Sequence, residues 1–217
     1  EPDLIVHARV SDQLMNREIR VLLFLATTLI VTALGCQPRE VDSTTQQGEN
    51  IPQFEVDPLW PNQLPNQWII GAVAGVAVDS RDHVWIVHRP STLQPNELRS
   101  EWVAAPPVLE FNPTGDVVAA WGGPGSGYEW PELEHGIYVD AHDNVWLGGG
   151  GESDAQVLKF SRQGEFLMQI GRQGRNGGSN ETTNLGGAAN MVVDEEANEL
   201  YVADGYVNHR VIVFDAE

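Results

Sequence analysis

The sequence predicts an all-β fold, a β-propeller of four-stranded blades. Glycine, proline and tryptophan are frequent, with 22, 13 and 7 residues respectively, and stretches with helical periodicity are few. A hairpin pattern recurs along the chain, and a second hairpin pattern follows it each time. Self-similar units of four strands bury both faces of each sheet when they stack around an axis, so this repeat indicates a propeller.

The first hairpin of the unit consists of an apolar strand, an aspartate, a polar turn and a second apolar strand. It occurs at 75–87, 136–148 and 190–204. Each strand either alternates apolar and polar residues or is wholly apolar, as strands of packed sheets do. The Asp and Asn residues of the turns tolerate the left-handed backbone conformations that tight hairpins need.

The second hairpin joins an apolar strand that contains Phe to a strand that ends in glycine. It occurs at 107–122 and 156–171, and 210–217 matches its beginning. Residues 66–217 are therefore predicted to form the N-terminal part of the propeller. Three blades do not close a ring, so we expect a six-bladed propeller in the complete protein, with about three further blades beyond Glu217.

A short targeting segment is predicted near the N-terminus, at 15–36. Arg17 and Arg20 precede an apolar stretch from 21 to 34. That stretch is shorter than the roughly 20 residues of a membrane-spanning helix and is typical of a signal peptide. The residues that end at Cys36 resemble a bacterial lipobox, which predicts lipidation of this cysteine. The alternative is a signal peptide that is cut elsewhere, with an incidental cysteine.

Two further segments flank this signal. Residues 1–14 precede the natural start at Met15 and are interpreted as upstream translation, and the polar, proline-rich residues 37–65 are predicted to form a tether. The signal peptide and a lipidated Cys36 predict a lipid-anchored protein of the bacterial cell envelope, in the outer membrane or periplasm, or a secreted one, and Gln37 rather than Asp after the cysteine favours the outer membrane.

The net charge of the chain indicates which classes of molecule it is expected to bind. Asp and Glu number 31 against 12 Lys and Arg, giving a formal net charge of −19. Such a surface repels phosphates, so nucleic-acid binding is not expected. It attracts cations and basic peptides, though weakly at physiological salt.

The end of the third unit carries a resemblance to a known family of propellers. The stretch 205–215 reads GYVNHRVIVFD and resembles the NHL repeat, whose signature is Asn-His followed by a strand that ends in Phe. Within NHL-type propellers, three stretches are similar to the peptidyl-α-hydroxyglycine α-amidating lyase family. They read VAGVAVDSRDHVWIVHRP (73–90), LEHGIYVDAHDNVWL (133–147) and YVADGYVNHRVIVF (201–214), and they occur in that family's order.

This resemblance implies an enzyme that cleaves a peptide ending in α-hydroxyglycine to a peptide amide and glyoxylate. It implies catalytic roles for Arg89 and Tyr206 and a zinc ligand at His135. It also implies calcium in the channel, bound by backbone carbonyls near Val76 and Ile137. The substrate, a peptide or another small molecule, would bind at the propeller axis.

The implied chemistry suits these residue types. Zinc held by neutral imidazoles, with an open coordination position, polarises a substrate or activates a bound hydroxyl. An arginine beside a tyrosine favours the charged phenolate, which can act as a base, and an arginine also holds a carboxylate bidentately. Several departures from the family pattern stand out. The other two zinc histidines of the family lie in later blades, beyond Glu217. Glu134 replaces the Pro that usually precedes the zinc His, GGAANMVVD (186–194) replaces a Pro-Thr-Asp-Val stretch, and LGGGGESD (147–154) replaces a Thr-Asp strand end.

Structural interpretations stand beside these roles. His135 could be a hydrogen-bonded turn residue, Arg89 could pair with a surface acid, and Tyr206 could stack on a neighbouring blade. The alternative to the lyase is a non-catalytic propeller that binds a peptide, glycan or protein partner. A calcium-dependent hydrolase of the lactonase type shares this architecture but uses a carboxylate-rich metal centre, for which the sequence of these blades places no Glu or Asp. Trp85 and Trp146 occupy equivalent positions of the repeat and are predicted core residues.

Overall fold

The computed structural model describes residues 52–98 and 101–217, and every strand of this described part lies between Val56 and Glu217. The predicted signal peptide, Cys36 and the first part of the predicted tether lie outside the described residues. Helical structure in the described part is limited to two 3-10 turns of three residues, Pro65–Gln67 and Pro90–Thr92. No helix there is long and apolar enough to cross a membrane.

The first sheet has four antiparallel strands, which lie side by side in the order in which they occur in the chain. A short parallel pair of strands forms a separate two-stranded sheet. The pair is β1 (Trp68–Ile69) and β4 (Val103–Ala104). The sheet consists of β2 (Ala72–Val78), β3 (Val84–Arg89), β5 (Val108–Phe111) and β6 (Val117–Trp121). Both hairpins of the first predicted unit are therefore confirmed.

The second and third sheets repeat this arrangement. The second sheet contains β7 (Glu134–Val139), β8 (Val145–Gly149), β9 (Gln156–Phe160) and β10 (Phe166–Gly171). The third contains β11 (Ala188–Asp194), β12 (Glu199–Asp204) and β13 (Arg210–Asp215). Strands follow one another in chain order in each sheet, and all neighbours are antiparallel.

The three sheets stack as consecutive blades of a β-propeller. Strand β2 packs against β7, and β7 packs against β11, so the first strands of the three sheets are neighbours. One apolar cluster joins the first and second sheets, and it includes Trp85, Val108, Leu147 and Phe160. Another joins the second and third sheets, and it includes Trp146, Val157, Met191 and Leu200. The predicted β-propeller class is confirmed, and the number of blades in the complete protein stays a prediction.

The hairpin turns explain the recurring aspartates and the buried tryptophans together. Asp140 accepts hydrogen bonds from the backbone N–H groups of His142 and Asn144 and, through Oδ2, from the indole N–H of Trp146 at 2.9 Å. Asp79 does the same in the first sheet, where its Oδ2 accepts from the indole of Trp85 at 3.1 Å. Both indole rings are fully buried, so each aspartate satisfies a polar group that burial would otherwise leave unpaired.

The same turns contain the left-handed residues that the sequence predicts. Asp82, Asp143 and Asn198 have φ angles of 59°, 64° and 54°. Asp and Asn adopt this region at lower cost than other residues with a side chain. The recurring Asp and Asn residues are therefore explained by hairpin geometry.

Replacing Asp140 by alanine is expected to lower the free energy of unfolding by about 1–3 kcal/mol, because the buried indole of Trp146 loses its acceptor. Chemical denaturation of the full-length protein measures this change. The matched control is Glu165→Ala, an exposed residue in another turn of the same sheet, for which we expect a change within about 0.5 kcal/mol. Equal losses in the two variants would contradict this role of Asp140.

The end of the predicted tether contacts the first sheet. The ring of Trp60 packs against Phe111 with a centroid distance of 5.6 Å. The backbone N–H of Asn62 donates to the carbonyl of Gly115 at 3.0 Å, and its side chain donates to Asp116 at 2.8 Å. The chain is thus held against the turn between β5 and β6 before it enters the first blade.

Candidate functional site

The first strand of every sheet has an irregularity near its beginning. The register shifts between Val73 and Gly75 in β2, between Glu134 and Ile137 in β7, and between Ala188 and Asn190 in β11. A β-bulge re-aims the side chain of the residue that it contains. His135 is the bulged residue with a titratable side chain, whereas the corresponding residues of β2 and β11 are Ala74 and Ala189.

His135 contacts Tyr206, which lies in the loop after β12. The Tyr206 hydroxyl and His135 Nε2 form a short hydrogen bond. The two rings are 5.0 Å apart between centroids, at an interplanar angle of 51°. His135 is half-buried, and Tyr206 is 50% exposed. The pair therefore joins the second and third sheets at a place that is open to solvent.

Arg89, from the first sheet, lies close to His135 as well. It is the last residue of β3, and its Nε donates a hydrogen bond of 2.8 Å to the backbone carbonyl of Glu134, the residue before His135. Three side chains that the sequence singles out, Arg89, His135 and Tyr206, thus meet although each belongs to a different sheet. Their positions at one site could not follow from local sequence, because contacts between sheets create it.

The electrostatics of this site favour a neutral imidazole. Burial lowers the pKa of His135 below its ordinary value, and the positive charge of Arg89 lowers it further, while a hydrogen bond with the histidine's own backbone acts in the opposite sense. Histidine ordinarily titrates near pH ~6.5, so His135 is uncharged at pH ~7. A neutral imidazole has one nitrogen that can accept a hydrogen bond. Nε2 can therefore accept from the Tyr206 hydroxyl.

Replacing Arg89 by glutamine is expected to raise the pKa of His135, because a positive charge no longer opposes protonation of the imidazole. An NMR titration of the His135 ring in the full-length protein measures this shift. Arg172→Gln is the control, since Arg172 is exposed and acts on Glu129. An unchanged titration in Arg89→Gln, or an equal shift in both variants, would contradict the proximity of Arg89 and His135.

Two glycines leave room around the pair. A Cβ at Gly150 would lie 3.0 Å from Cδ2 of His135 and 3.4 Å from Cε2 of Tyr206. Gly187 has a φ of 93°, and a Cβ there would lie 2.8 Å from Cβ of Tyr206. Sequence reasoning did not identify these positions as part of the site. The available signal was that both belong to glycine-rich stretches that directly follow or precede a strand.

The two predicted calcium positions lie on neighbouring first strands. Val76 pairs with Ile86 and Ile137 pairs with Leu147, so they hold equivalent register positions in β2 and β7. The two strands approach closely here, because a Cβ at Gly75 would lie 2.4 Å from the carbonyl oxygen of His135. Calcium takes six to eight oxygen ligands. Two carbonyls do not suffice, so this site stays a prediction.

The residues around His135 do not by themselves make a zinc site. Zinc sites use three or four protein ligands. The groups of three metal-capable side chains in the described part are Asp79, His83 and Glu110, and Asp140, His142 and Glu195. Neither group includes His135. Asp79 and Asp140 follow the last residues of β2 and β7, whereas His135 lies near the beginning of β7. Zinc at His135 stays a prediction: it requires further donors, and zinc bound at Nε2 would displace the hydrogen bond from Tyr206.

Comparison with known proteins finds distant relatives by sequence. No protein-family model matches the chain. The chain is 26% identical over 192 residues to peptidyl-alpha-hydroxyglycine alpha-amidating lyase 2 of Drosophila melanogaster, an alignment that covers 82% of this chain and 44% of the lyase. The chain thus spans less than half the length of that relative.

Solved structures with similar folds include two bacterial proteins. A structural genomics protein of unknown function from Bacteroides thetaiotaomicron aligns with a TM-score of 0.41 and 17% identity, over 62% of this chain and 31% of that chain. A gluconolactonase from Xanthomonas campestris aligns with a TM-score of 0.32 and 15% identity, over 70% of this chain and 60% of that chain. Neither likeness bears on function, which is inferred below from the residues of the site.

Proposed function

We propose that the full-length protein is a lyase that cleaves peptides ending in α-hydroxyglycine to a peptide amide and glyoxylate. The observation that carries this proposal is the convergence of Arg89, His135 and Tyr206 from three sheets. The similarity to the Drosophila amidating lyase supports the same reaction class. A hydrogen-bonded phenol and imidazole beside a guanidinium supply the groups that this reaction requires.

The proposed reaction needs one base and one returned proton. The base removes the proton of the substrate's α-hydroxyl group, the C–O bond becomes a carbonyl, and the bond from that carbon to the amide nitrogen breaks. The nitrogen then receives a proton, which gives the peptide amide and glyoxylate. Tyr206 is the proposed base: its oxygen takes the proton of the substrate hydroxyl as its own hydroxyl proton passes to the neutral Nε2 of His135, and this proton is later returned to the nitrogen by the same path.

Arg89 is the proposed partner of the substrate carboxylate. Its Nε is bound to the carbonyl of Glu134, and this bond does not involve the two terminal nitrogens of the guanidinium. Guanidinium groups bind carboxylates with charge-assisted, often bidentate hydrogen bonds. A carboxylate bound there would place the adjacent α-carbon near Tyr206, since both side chains lie beside His135.

The proposal also includes three predictions that concern the complete protein. These are zinc at His135 with further donors, calcium near Val76 and Ile137, and a lipid anchor at Cys36 in the bacterial cell envelope. None of the proposed proton transfers or bond changes passes through a metal. Zinc, when bound at an open site, would polarise a substrate oxygen or activate a bound hydroxyl.

A product assay tests the proposed function. The full-length protein is incubated with a synthetic peptide that ends in α-hydroxyglycine, and glyoxylate and peptide amide are quantified. We expect equal amounts of the two products, formed faster than in the uncatalysed control, and a large loss of rate in His135→Ala. If the wild-type protein forms no glyoxylate but binds the peptide, it is a binding propeller and the lyase proposal is wrong.

A further inference from the structure

We propose that Asp154 is the positioning residue for the His135–Tyr206 pair, because it binds the backbone segments that lie next to both side chains. This inference rests on the proposed function for its catalytic consequence, but its geometry stands without it. Asp154 lies in the loop between β8 and β9, and it is fully buried. It contacts neither substrate-facing side chain directly, so any effect on the reaction would pass through the backbone that it binds.

The carboxylate of Asp154 fixes the chain just before His135. Its Oδ1 accepts a hydrogen bond from the backbone N–H of Glu132 at 2.8 Å, and its Oδ2 accepts from Leu133 at 3.1 Å. Leu133 lies two residues before His135, and its carbonyl accepts from the N–H of Gly150 at 2.9 Å. Hydrogen bonds to an ionised carboxylate are stronger than those between neutral groups. They hold the segment that leads into the bulge.

The same carboxylate fixes the loop on the other side of the His135 ring. Its Oδ2 also accepts from the backbone N–H of Gly151 at 2.9 Å. The preceding residue, Gly150, lies directly against the rings of His135 and Tyr206. Asp154 therefore sets the distance between the strand that carries His135 and the loop that contacts its ring.

The backbone of Asp154 supports Tyr206. Its carbonyl accepts a hydrogen bond of 3.0 Å from the N–H of Gly187. Gly187 packs against Tyr206 so closely that a Cβ there would lie 2.8 Å from Cβ of the tyrosine. Movement of the loop at Asp154 would thus displace both Gly187, which packs against Tyr206, and Gly150, which packs against His135.

The glycines beside Asp154 fit this role. A Cβ at Gly149 would lie 2.4 Å from Oδ2 of Asp154, and a Cβ at Gly151 would lie 2.8 Å from the same oxygen. Larger residues at these positions would push the carboxylate away from the amides that it binds. The glycine run 148–151 therefore leaves space for a buried carboxylate beside the site.

The test compares Asp154→Asn with Asp140→Asn in the full-length protein. Asp140 is a buried aspartate of the same sheet that also accepts backbone N–H groups, but it follows the opposite end of β7. We expect both variants to be less stable than the wild type. Asp154→Asn alone should shift the NMR resonances of the His135 ring and lower kcat by about tenfold or more, because a small displacement of reacting groups has large effects on rate.

A second variant covers the case in which Asp154→Asn does not fold. Gly151→Ala keeps the carboxylate but introduces a Cβ beside it, so it should shift the same ring resonances and lower kcat. The proposal is overturned if the variant at Asp154 or Gly151 leaves the His135 ring unchanged, or if Asp140→Asn shifts it as far. A wild-type protein without lyase activity would refute the proposed function, and the ring resonances would still decide the role of Asp154.

Discussion

Replacing Tyr206 by phenylalanine is expected to lower kcat for cleavage of an α-hydroxyglycine peptide by about 10²–10⁴-fold, because the proposed base is removed. The phenyl ring can keep its place 5.0 Å from the His135 ring, so the loss should not come from altered packing. KM should change little, since Arg89 is the proposed carboxylate partner. Steady-state kinetics with the synthetic peptide measure both constants.

The control for this prediction is Tyr201→Phe. Tyr201 lies on β12 of the same sheet, is 36% exposed, and donates its hydroxyl proton to Glu199 at 2.7 Å. Tyr201→Phe also removes a phenolic oxygen, but one that bonds to Glu199 and not to His135, so kcat should stay within about twofold of the wild type. The assignment of Tyr206 would be wrong if Tyr206→Phe kept most of its turnover, or if both variants lost it alike.

Replacing Arg162 by methionine is expected to lower the free energy of unfolding by about 2–4 kcal/mol, because two buried carboxylates lose the cation that they share, although Asp79 keeps Arg81 and Glu110 keeps His83 as partners. Arg162 lies in the turn between β9 and β10, but it pairs with two acids of the first sheet. Its Nη1 is 2.8 Å from Oδ2 of Asp79, and its Nη2 pairs with Oε1 of Glu110. Those acidic side chains are 1% and 2% exposed.

Asp79 remains charged beside Arg162 at neutral pH. Burial raises the pKa of Asp79, but hydrogen bonds from the Trp85 indole and from the amides of Arg81 and His83, with the charge of Arg81, hold it below the ordinary value of 3.8. Because its folded-state pKa is depressed, Asp79 contributes stability that is present above pH 3.8 and is lost as the pH falls further.

Two comparisons make the Arg162 prediction specific. Arg172→Met removes an exposed arginine that follows β10 in the same sheet, and it should change the free energy of unfolding by no more than about 0.5 kcal/mol. Adding Glu110→Gln to Arg162→Met should recover part of the loss, because one buried charge is then neutral. Denaturant unfolding of the four proteins measures these values. A loss below about 1 kcal/mol in Arg162→Met would contradict the interpretation of a desolvated ion pair.

Much of the fold could be predicted because its signals are local. Alternating apolar residues and a turn with Asp or Asn lie within a dozen residues of each other, and the hairpins form where this pattern occurs. The pair β1 and β4 was not predicted. Each strand has two residues, and they pair in parallel across more than thirty residues of chain, so neither carries a periodicity that a sequence could reveal.

The site could be predicted only in part. Arg89, His135 and Tyr206 were identified from a family resemblance, and each lies at a strand end or in a loop. The ion pairs of Arg162 were not predicted, because they join sheets that are far apart in sequence. Asp154 was also missed, since a glycine-rich stretch reads as an irregular loop until its amides are seen to surround a carboxylate.

The central claim is that His135 and Tyr206 act as one unit, and a double-mutant cycle on kcat tests it most directly. The full-length wild type is compared with His135→Ala, Tyr206→Phe and the double variant on the same α-hydroxyglycine peptide. Residues that act as a unit have strongly non-additive effects. We predict that the double variant is no slower than the worse single variant. The account would be contradicted if the losses of kcat in the two single variants multiplied in the double variant, or if either single variant kept the wild-type kcat.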